Sequence, residues 1–504
     1  MTLRVARGLA AVALVPVLLA GCTDAEDTPV AAQPGSPTDG GVGRTGSTAS
    51  IAVPDPSEDA QAEDPSYDAG TSQPVEDSVY PEVGDPLVDA LHYGLDLGWN
   101  PQTRTLDAAE VLTFRATDDA PHFQLDFGAA LAVRSARLDG ARVAVDERGK
   151  DLVVRAPVQA DQRYVLELRY GGTPRPVAAP TTRADFSTLG WTITDDGRVW
   201  TMQEPFGAYS WYAVNDQPSD KALYDITVRA PAPWVGVANG ELVSQEESGG
   251  TTTSSWHLDE PASSYLVTVA IGDFAMTKDR SASGVPMTYW WPSDDRSILR
   301  RLRLAADEVA WIEDRLGPYP FSSLGFVVVD SRSAMETQTM ITVGKEDYDL
   351  SPEVLLHEMV HQWYGDQVTP ADWKDLWLSE GMAQYLQILW QAQHYGYSAD
   401  AQLRDLASGA DQRQRNESGP PADYDPSTFA EGNVYYSPAL MWDVIRRDLG
   451  DRLFWRLARE WPAAHDNGNA DYDEAVRWWS QESGRNLAPT FDAWLLGATT
   501  PPYP

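Results

Sequence analysis

The chain has 504 residues, with 38 Lys or Arg against 75 Asp or Glu, so its formal net charge at pH 7 is −37. This length allows two or three domains with large cores. The charge argues against nucleic acid as a partner, because phosphate binding needs a basic surface, and it would favour a cationic group on a substrate.

Residues 1–22 have the pattern of an export signal. Arg4 and Arg7 precede an apolar run over residues 9–20, which is too short for an ordinary membrane span. The run ends in Leu-Ala-Gly-Cys, which resembles a bacterial lipobox and predicts lipidation of Cys22; a plain secretory signal with a chance cysteine is the alternative. Cys22 is the only cysteine, so the exported protein would have no internal disulfide and no thiolate metal ligand.

Residues 23–79 are rich in Pro, Gly, Ser, Thr, Ala and acidic residues and have almost no large apolar side chain. Such a composition cannot bury enough apolar surface to offset the entropy lost on ordering. We therefore predict a disordered, self-repelling linker over residues 23–79.

Residues 80–292 have a β pattern without helical periodicity. Four segments alternate or run apolar over strand lengths, and Asp-Gly or Gly-Gly turns stand between such segments. These segments are 112–115, 123–127, 152–155 and 164–168. An N-terminal β domain is predicted over 80–292.

Residues 293–504 have mainly helical patterns. A helix is predicted over 295–316 and a buried strand over 326–330. After a polar, loop-like stretch over 411–429, three more helices are predicted: 438–449, 452–461 and 472–483.

A metal-binding pattern lies inside this second region. His357 and His361 are four positions apart, so on a helix their imidazoles project from one face, one turn apart. Glu380 follows on a second apolar segment, and a His, His and Glu set leaves one tetrahedral position open, as in catalytic zinc sites. Glu358, between the histidines, is placed to act on a water molecule at that position.

The first helix of this pattern has recognisable ends. Ser351 is a suitable N-cap, Pro352 suits the first helical position and Gly365 can end the helix. A lone His-Glu-x-x-His also occurs by chance on ordinary amphipathic helices, and Glu380 alone could be a solvated helix residue. The motifs around this sequence decide between a zinc site and a chance match on an ordinary helix.

The pattern extends as His-Glu-Met-Val-His-Gln-Trp-Tyr-Gly at 357–365, Val-Thr at 368–369, Trp373, Asp-Leu-Trp-Leu at 375–378 and Glu-Gly at 380–381. These residues resemble the aminopeptidase N family of gluzincin zinc metallopeptidases, of which leukotriene epoxide hydrolase is a relative. The resemblance covers about residues 80–504. It implies a multidomain α+β protein with a curved, saddle-like β domain, a thermolysin-like helical domain and one Zn²⁺ per chain.

The resemblance also implies residues that bind the substrate. Glu204 aligns with a family glutamate that helps to bind the substrate's amino terminus. Ser-Ala-Met-Glu-Thr at 333–337 is similar to the family's Gly-x-Met-Glu-Asn motif and supplies Glu336, with two substitutions. Met202, Ala334 and Met335 fall beside the first side-chain pocket. A peptide α-amine has a pKa of roughly 7.7–8.0 and is largely protonated at neutral pH, so two carboxylates would bind it.

A tyrosine that stabilises the developing oxyanion is expected near residue 435. The family has a tyrosine followed three positions on by glycine, and neither that glycine nor the accompanying lysine is present here. Aligning Pro438 with the glycine selects Tyr435, whereas aligning Ser437 with the residue after the tyrosine selects Tyr436. We predict Tyr435, in an extended segment before a helix that begins at Pro438.

The resemblance implies a zinc aminopeptidase that acts on peptides with a free N-terminus. The lipobox-like sequence at Cys22 predicts that this enzyme is lipid-anchored outside the cytoplasmic membrane. Zinc would lower the pKa of its water to about 7, and Glu358 would act as general base. Epoxide hydrolysis or endopeptidase activity in the same site, and a catalytically idle surface binding protein, are the alternatives. All ligands and the base are present, which argues against the idle protein. The paired carboxylates disfavour an endopeptidase, and no lipid-substrate signature supports epoxide hydrolysis.

Overall fold

The computed structural model describes residues 51, 53, 54, 62 and 64–504. The predicted export signal and Cys22 lie outside the described residues. The residues from 64 onward belong to one unit of the chain. In this part of the chain, no helix combines the length and the apolar character needed to cross a membrane.

The first domain consists of strands, as the alternating pattern predicts. The strands are β1 (Val88–Asn100), β2 (Thr105–Ala116), β3 (Phe123–Asp126), β4 (Leu131–Leu138), β5 (Ala141–Arg142), β6 (Val145–Arg148), β7 (Asp151–Val154), β8 (Arg163–Gly172), β9 (Val177–Ala178), β10 (Thr188–Ile193), β11 (Val199–Met202), β12 (Lys221–Pro231), β13 (Val235–Ala238), β14 (Glu241–Ser248), β15 (Thr251–Ser263) and β16 (Val269–Gly272).

These strands form three sheets in the described residues. The largest has eight strands in the order β14-β15-β12-β1-β2-β8-β4-β5, the second has the order β13-β16-β11-β10-β9, and β3-β7-β6 form a small third sheet. Neighbouring strands are antiparallel except for the parallel pair β1 and β12. Apolar side chains from all three sheets share one buried core, in which the Trp191 ring contacts those of Trp99 and Trp211.

The second domain combines a small sheet with helices. Its strands are β17 (Phe274–Arg280), β18 (Pro286–Pro292), β19 (Leu324–Val329), β20 (Met340–Gly344), β21 (Thr369–Pro370) and β22 (Asn469–Ala470). Its helices are α1 (Ser297–Leu302), α2 (Ala305–Leu316), α3 (Pro352–His361), α4 (Trp377–Tyr395), α5 (Ala399–Asp405), α6 (Asp411–Ser418), α7 (Gly432–Leu449), α8 (Asp451–Ala464), α9 (Tyr472–Ser483) and α10 (Ala488–Phe491). The predicted order of a β domain followed by a mainly helical domain is confirmed.

The boundary between the domains lies earlier than the predicted residue 292. Strands β17 and β18 form a hairpin, and β18 pairs in parallel with β19, so both belong to the sheet of the second domain. Met287, Tyr289 and Trp291 of β18 are buried in the second domain's core. A strand pattern reports local extension but not the sheet that the strand joins, and this is why the prediction missed the change of domain.

The linker predicted over 23–79 is ordered in its last part. Pro65–Gly70 form a short 3₁₀-helix, and the Tyr67 ring stacks on His92 at 4.5 Å. The Asp77 carboxylate then accepts a hydrogen bond from the backbone N–H of Trp373 in the second domain, at 2.7 Å. Ring stacking and specific polar contacts hold this segment, and composition does not reveal such contacts.

Two helical predictions also need correction. The helix predicted over 295–316 is divided into α1 and α2 at residues 303–304. The stretch predicted as a loop over 411–429 contains α6, whose polar sequence gives no apolar stripe. This helix is held by Arg415, which forms a fully buried ion pair with Asp411 at 2.9 Å and donates to the carbonyl of Trp494.

Candidate active site

Helices α3 and α4 bring the predicted metal ligands together. Nε2 of His357 and Nε2 of His361 lie 3.1 and 3.4 Å from Oε2 of Glu380. These three side chains form the only group of three or more His, Cys, Asp or Glu residues with metal-binding spacing among the described residues, and their ligand atoms lie within 4.8 Å of one another. The His-x-x-x-His spacing places both rings on one face of α3, as predicted.

The hydrogen bonds at Nδ1 of the two imidazoles are compatible with zinc binding at Nε2. Nδ1 of His357 lies 3.0 Å from Oε1 of Gln387, and Nδ1 of His361 lies 3.1 Å from the carbonyl oxygen of Tyr364. Both partners accept hydrogen bonds, so Nδ1 of each ring can donate its proton to them and leave Nε2 available to a metal ion. Protein zinc sites commonly orient histidine ligands in this way. His357, His361 and Glu380 are therefore able to hold Zn²⁺.

The charges around these ligands favour a cation. Burial acts to raise the pKa of Glu380, but the charges of His361 and His357 hold it below its usual range. Burial acts to lower the pKa of His361, but the carboxylates of Glu336 and Glu380 raise it well above its usual range. The negative potential that favours a proton on His361 equally favours a divalent metal ion at Nε2.

Three further glutamates lie close to the ligands. Glu336 and Glu358 are buried, with exposed fractions of 4% and 7%. Glu204 is partly buried, yet its Oε1 atom is enclosed and lacks a hydrogen-bond partner among the described residues. Burial and then the charge of Glu336 raise the pKa of both Glu204 and Glu358. These enclosed carboxyls therefore hold protons more readily than exposed ones, unless a cation binds beside them and favours their charged form.

The backbone positions the two predicted amine-binding glutamates differently. Glu204 follows the end of β11, next to Gln203, whose side-chain amide donates to two backbone carbonyls. Glu336 follows Met335, which pairs by backbone hydrogen bonds with Thr342 on the edge strand β20. The side-chain amide of Gln362, the residue after His361, also donates to the backbone carbonyl of Glu336 at 2.9 Å. Their roles in binding stay predictions.

The predicted pocket residues lie near this edge. Met202 on β11 and Met335 are each 5% exposed, and Ala334 is half-buried. The Ser331 hydroxyl donates to the Met202 sulfur at 3.5 Å, which connects β11 of the first domain to the segment after β19 of the second. Binding of the first substrate side chain by these residues stays a prediction.

Tyr435 and Tyr436 lie inside a helix, so the predicted extended segment is wrong. Helix α7 begins at Gly432 and continues through Pro438. The proline removes only one backbone donor, and the buried side chains on both sides of it keep α7 packed against its neighbours. The Tyr435 hydroxyl donates to Oε1 of Glu380 at 2.8 Å, and both tyrosines are partly buried. The role of Tyr435 in catalysis stays a prediction.

Several residues of the site were missed by sequence reasoning. Gln387 lies seven positions after Glu380, which puts both side chains on one face of α4, and this spacing could have indicated it. Arg183 donates from Nη1 to the Tyr435 hydroxyl at 3.3 Å, although it comes from the β domain. No motif surrounds Arg183, so only the fold reveals it.

Three features define a zinc metallopeptidase of the gluzincin class. They are the His-Glu-x-x-His sequence on α3, the glutamate on the next helix, and the β domain that precedes both in the chain. Comparison with known proteins identifies the family. The Peptidase M1 N-terminal domain matches residues 89–266, and the Peptidase family M1 domain matches residues 301–494. The chain belongs to peptidase family M1.

Individual relatives agree with this assignment. An M1 zinc metallopeptidase from Deinococcus radiodurans, solved as a mutant bound to a Tyr-Ser-Ala substrate, is 26% identical with a TM-score of 0.74, and the match covers 86% of this chain and 99% of that chain. A structure described as a two-domain M1 zinc metallopeptidase mutant bound to L-arginine has the same identity, TM-score and coverage.

The aminopeptidase N of Lactobacillus helveticus is 25% identical over 455 residues. The match covers 82% of this chain and 51% of that protein. The chain therefore spans about half the length of this relative.

We predict that Gln387→Leu weakens zinc binding about 10- to 100-fold, because it removes the acceptor that orients His357. The measurement is competition for zinc against a chelator of known affinity. Gln391→Leu, one turn further along α4, is the matched control and is expected to bind zinc as the wild type does. Equal affinities of the two variants would contradict the assigned orientation of His357.

Proposed function

We propose that the protein is a zinc aminopeptidase that removes the N-terminal residue from peptides. One observation carries the proposal: the carboxylates of Glu204 and Glu336 lie beside the zinc ligands, and neither forms an ion pair within the described part of the chain. A buried carboxylate without a cation is costly, so this pair is expected to take its cation from the substrate.

The protonated α-amine of a peptide fits this requirement. It offers three N–H donors and a positive charge, which charge-assisted hydrogen bonds to Glu204 and Glu336 would bind. Binding the amine next to the zinc ligands limits the distance from the chain end to the reacting carbonyl, which favours cleavage after the first residue. The substrate backbone would extend along residues 333–336 beside β20, by the pairing that extended peptides form at sheet edges.

His357, His361 and Glu380 would hold the zinc ion, which when bound supplies Lewis-acid polarisation of the carbonyl and activation of water. Glu358 takes a proton from the attacking water as the water oxygen bonds to the carbonyl carbon. The C–N bond then breaks, and Glu358 passes the proton to the leaving amine nitrogen. Burial raises the pKa of Glu358, which makes its carboxylate a stronger base toward the proton of the attacking water.

We propose that the Tyr435 hydroxyl stabilises the negative charge that develops on the carbonyl oxygen. Its bond to Glu380 brings the phenol to the ligand set, and its ring lies 6.0 Å from that of His357. A donor held in this position already directs its proton toward the ligand set, beside which the oxyanion would form. Such preorganised donors lower the barrier because they need little reorientation during the reaction.

We predict that free-amine aminoacyl reporter substrates are cleaved and that N-acetylated ones are not. A chelator should abolish the activity and zinc should restore it. Glu204→Gln and Glu336→Gln should each lower kcat/KM about 10- to 100-fold, because each removes a charged acceptor. Glu247→Gln, at an exposed position on β14, is the control. Comparable turnover of acetylated substrates would indicate an endopeptidase, and activity without metal would refute the zinc mechanism.

We predict that Tyr435→Phe lowers kcat on the order of 100- to 1000-fold while zinc content and folding are retained, because one oxyanion donor is lost. Tyr436→Phe is the matched control and should be mild. Steady-state kinetics with metal analysis checks this pair. A larger loss in Tyr436→Phe would show that the tyrosines have been assigned in the wrong order.

We further propose that the protein is exported and attached to the cell membrane through a lipid on Cys22, facing outside the cytoplasm. The support is the Leu-Ala-Gly-Cys sequence after a short apolar run with basic residues before it. Full-length protein is expected in the membrane fraction, and Cys22→Ala should abolish lipidation. Mass spectrometry of the mature wild-type N-terminus would refute the proposal if it found no lipid.

A further inference from the structure

A segment of the β domain reaches the catalytic tyrosine. This segment, residues 180–186, connects β9 to β10 and contacts the residues just before α7. The Pro180 carbonyl accepts the backbone N–H of Phe429 at 2.9 Å, and the Thr181 hydroxyl donates to the Phe429 carbonyl at 2.8 Å. The Thr182 hydroxyl donates to the Glu431 carboxylate.

Arg183 is the residue of this segment that contacts the Tyr435 hydroxyl. Its Nη1 donates to the Ala430 carbonyl at 3.0 Å and to the Tyr435 hydroxyl oxygen at 3.3 Å. Its Nε and Nη2 donate to the two carboxylate oxygens of Asp185 at 3.2 and 2.5 Å. The guanidinium also lies over the Phe186 ring, 4.5 Å from its centre. The guanidinium is therefore held from several sides.

We propose that Arg183 is a positioning residue for Tyr435, supplied by the β domain; this inference rests on the proposed aminopeptidase mechanism. The phenol has one proton, which it donates toward Glu380, and Arg183 occupies a lone pair on the same oxygen. With that lone pair engaged, the hydroxyl keeps its proton directed to the side where the carbonyl oxygen is expected. A cationic donor also polarises the O–H bond and makes it a better donor to an oxyanion.

Two other roles for Arg183 explain its contacts less well. An arginine has five N–H donors, and four of them are already used by Asp185, Ala430 and Tyr435, so little remains to bind a substrate's terminal carboxylate. A purely structural link between the domains would need no contact with Tyr435, because Pro180, Thr181 and Thr182 already join this segment to residues 429–431.

The test is a double-mutant cycle of Arg183→Gln and Tyr435→Phe. An aminoacyl p-nitroanilide is the substrate, because it has a free amine but no carboxylate. Arg183→Gln is expected to lower kcat about tenfold with little change in KM, since a hydrogen bond from a charged donor is worth about this much. In the Tyr435→Phe background, the same change should have no further effect, because residues that act through one group are not additive.

Controls separate this role from the others. Thr182→Val removes a contact of the same segment and is expected to keep the wild-type kcat. Zinc content and thermal melting report on folding, and if Arg183→Gln proves unstable, Arg183→Lys enters the cycle in its place. The proposal is overturned by additive losses, by an equal loss in Thr182→Val, or by a loss seen only with dipeptides that carry a free carboxylate. An inactive wild-type enzyme, or a fully active Tyr435→Phe, would instead refute the proposed mechanism itself.

Discussion

Negative charge enclosed around the zinc ligands is the constraint on which the rest of the site depends. Glu204, Glu336, Glu358 and Glu380 surround two histidines, and no Lys or Arg of the described chain forms an ion pair with any of them. Buried carboxylates in such numbers are stable only when cations or protons neutralise them. A divalent metal at the three ligands and, in the proposed function, a substrate ammonium group at Glu204 and Glu336 would supply these cations. The same charge would therefore account both for the metal and for the selection of free-amine peptides in the proposed function.

This arrangement needs both domains in a defined relative position. The β domain supplies Glu204, and its Lys221 extends into the second domain, where Nζ donates to the carbonyls of Asp366 and Gln367 at 2.7 and 3.2 Å. Burial lowers the pKa of Lys221 to about 7, so this contact depends on hydrogen bonds to carbonyls more than on a full charge. These carbonyls closely follow Tyr364, which orients His361. The domain contact thereby stabilises the backbone on which one zinc ligand depends.

The sequence predicts best what depends on local geometry. His357 and His361 lie four positions apart on one helix, and this spacing places both side chains on one face. The bounds of α9, Tyr472–Ser483, were also predicted correctly, because helical periodicity is a local signal. Glu204 and Glu336 came from resemblance to a family motif, because their nearness to zinc arises from the fold. Arg183 could not be found in either way. Its partner is 252 positions away, and neither residue type nor periodicity indicates that distance.

The position of Tyr435 depends on a close approach that glycine allows. Helices α4 and α7 meet where Gly381 faces Pro438, and a Cβ atom on Gly381 would lie 2.2 Å from the Pro438 Cβ, far inside contact distance. Any larger residue at 381 would therefore push α7 away from α4. Because Tyr435 lies one turn before Pro438, such a shift would also withdraw its hydroxyl from Glu380. The Glu-Gly pair thus contributes twice to the proposed site: Glu380 is a candidate zinc ligand, and Gly381 leaves room for the helix that carries Tyr435.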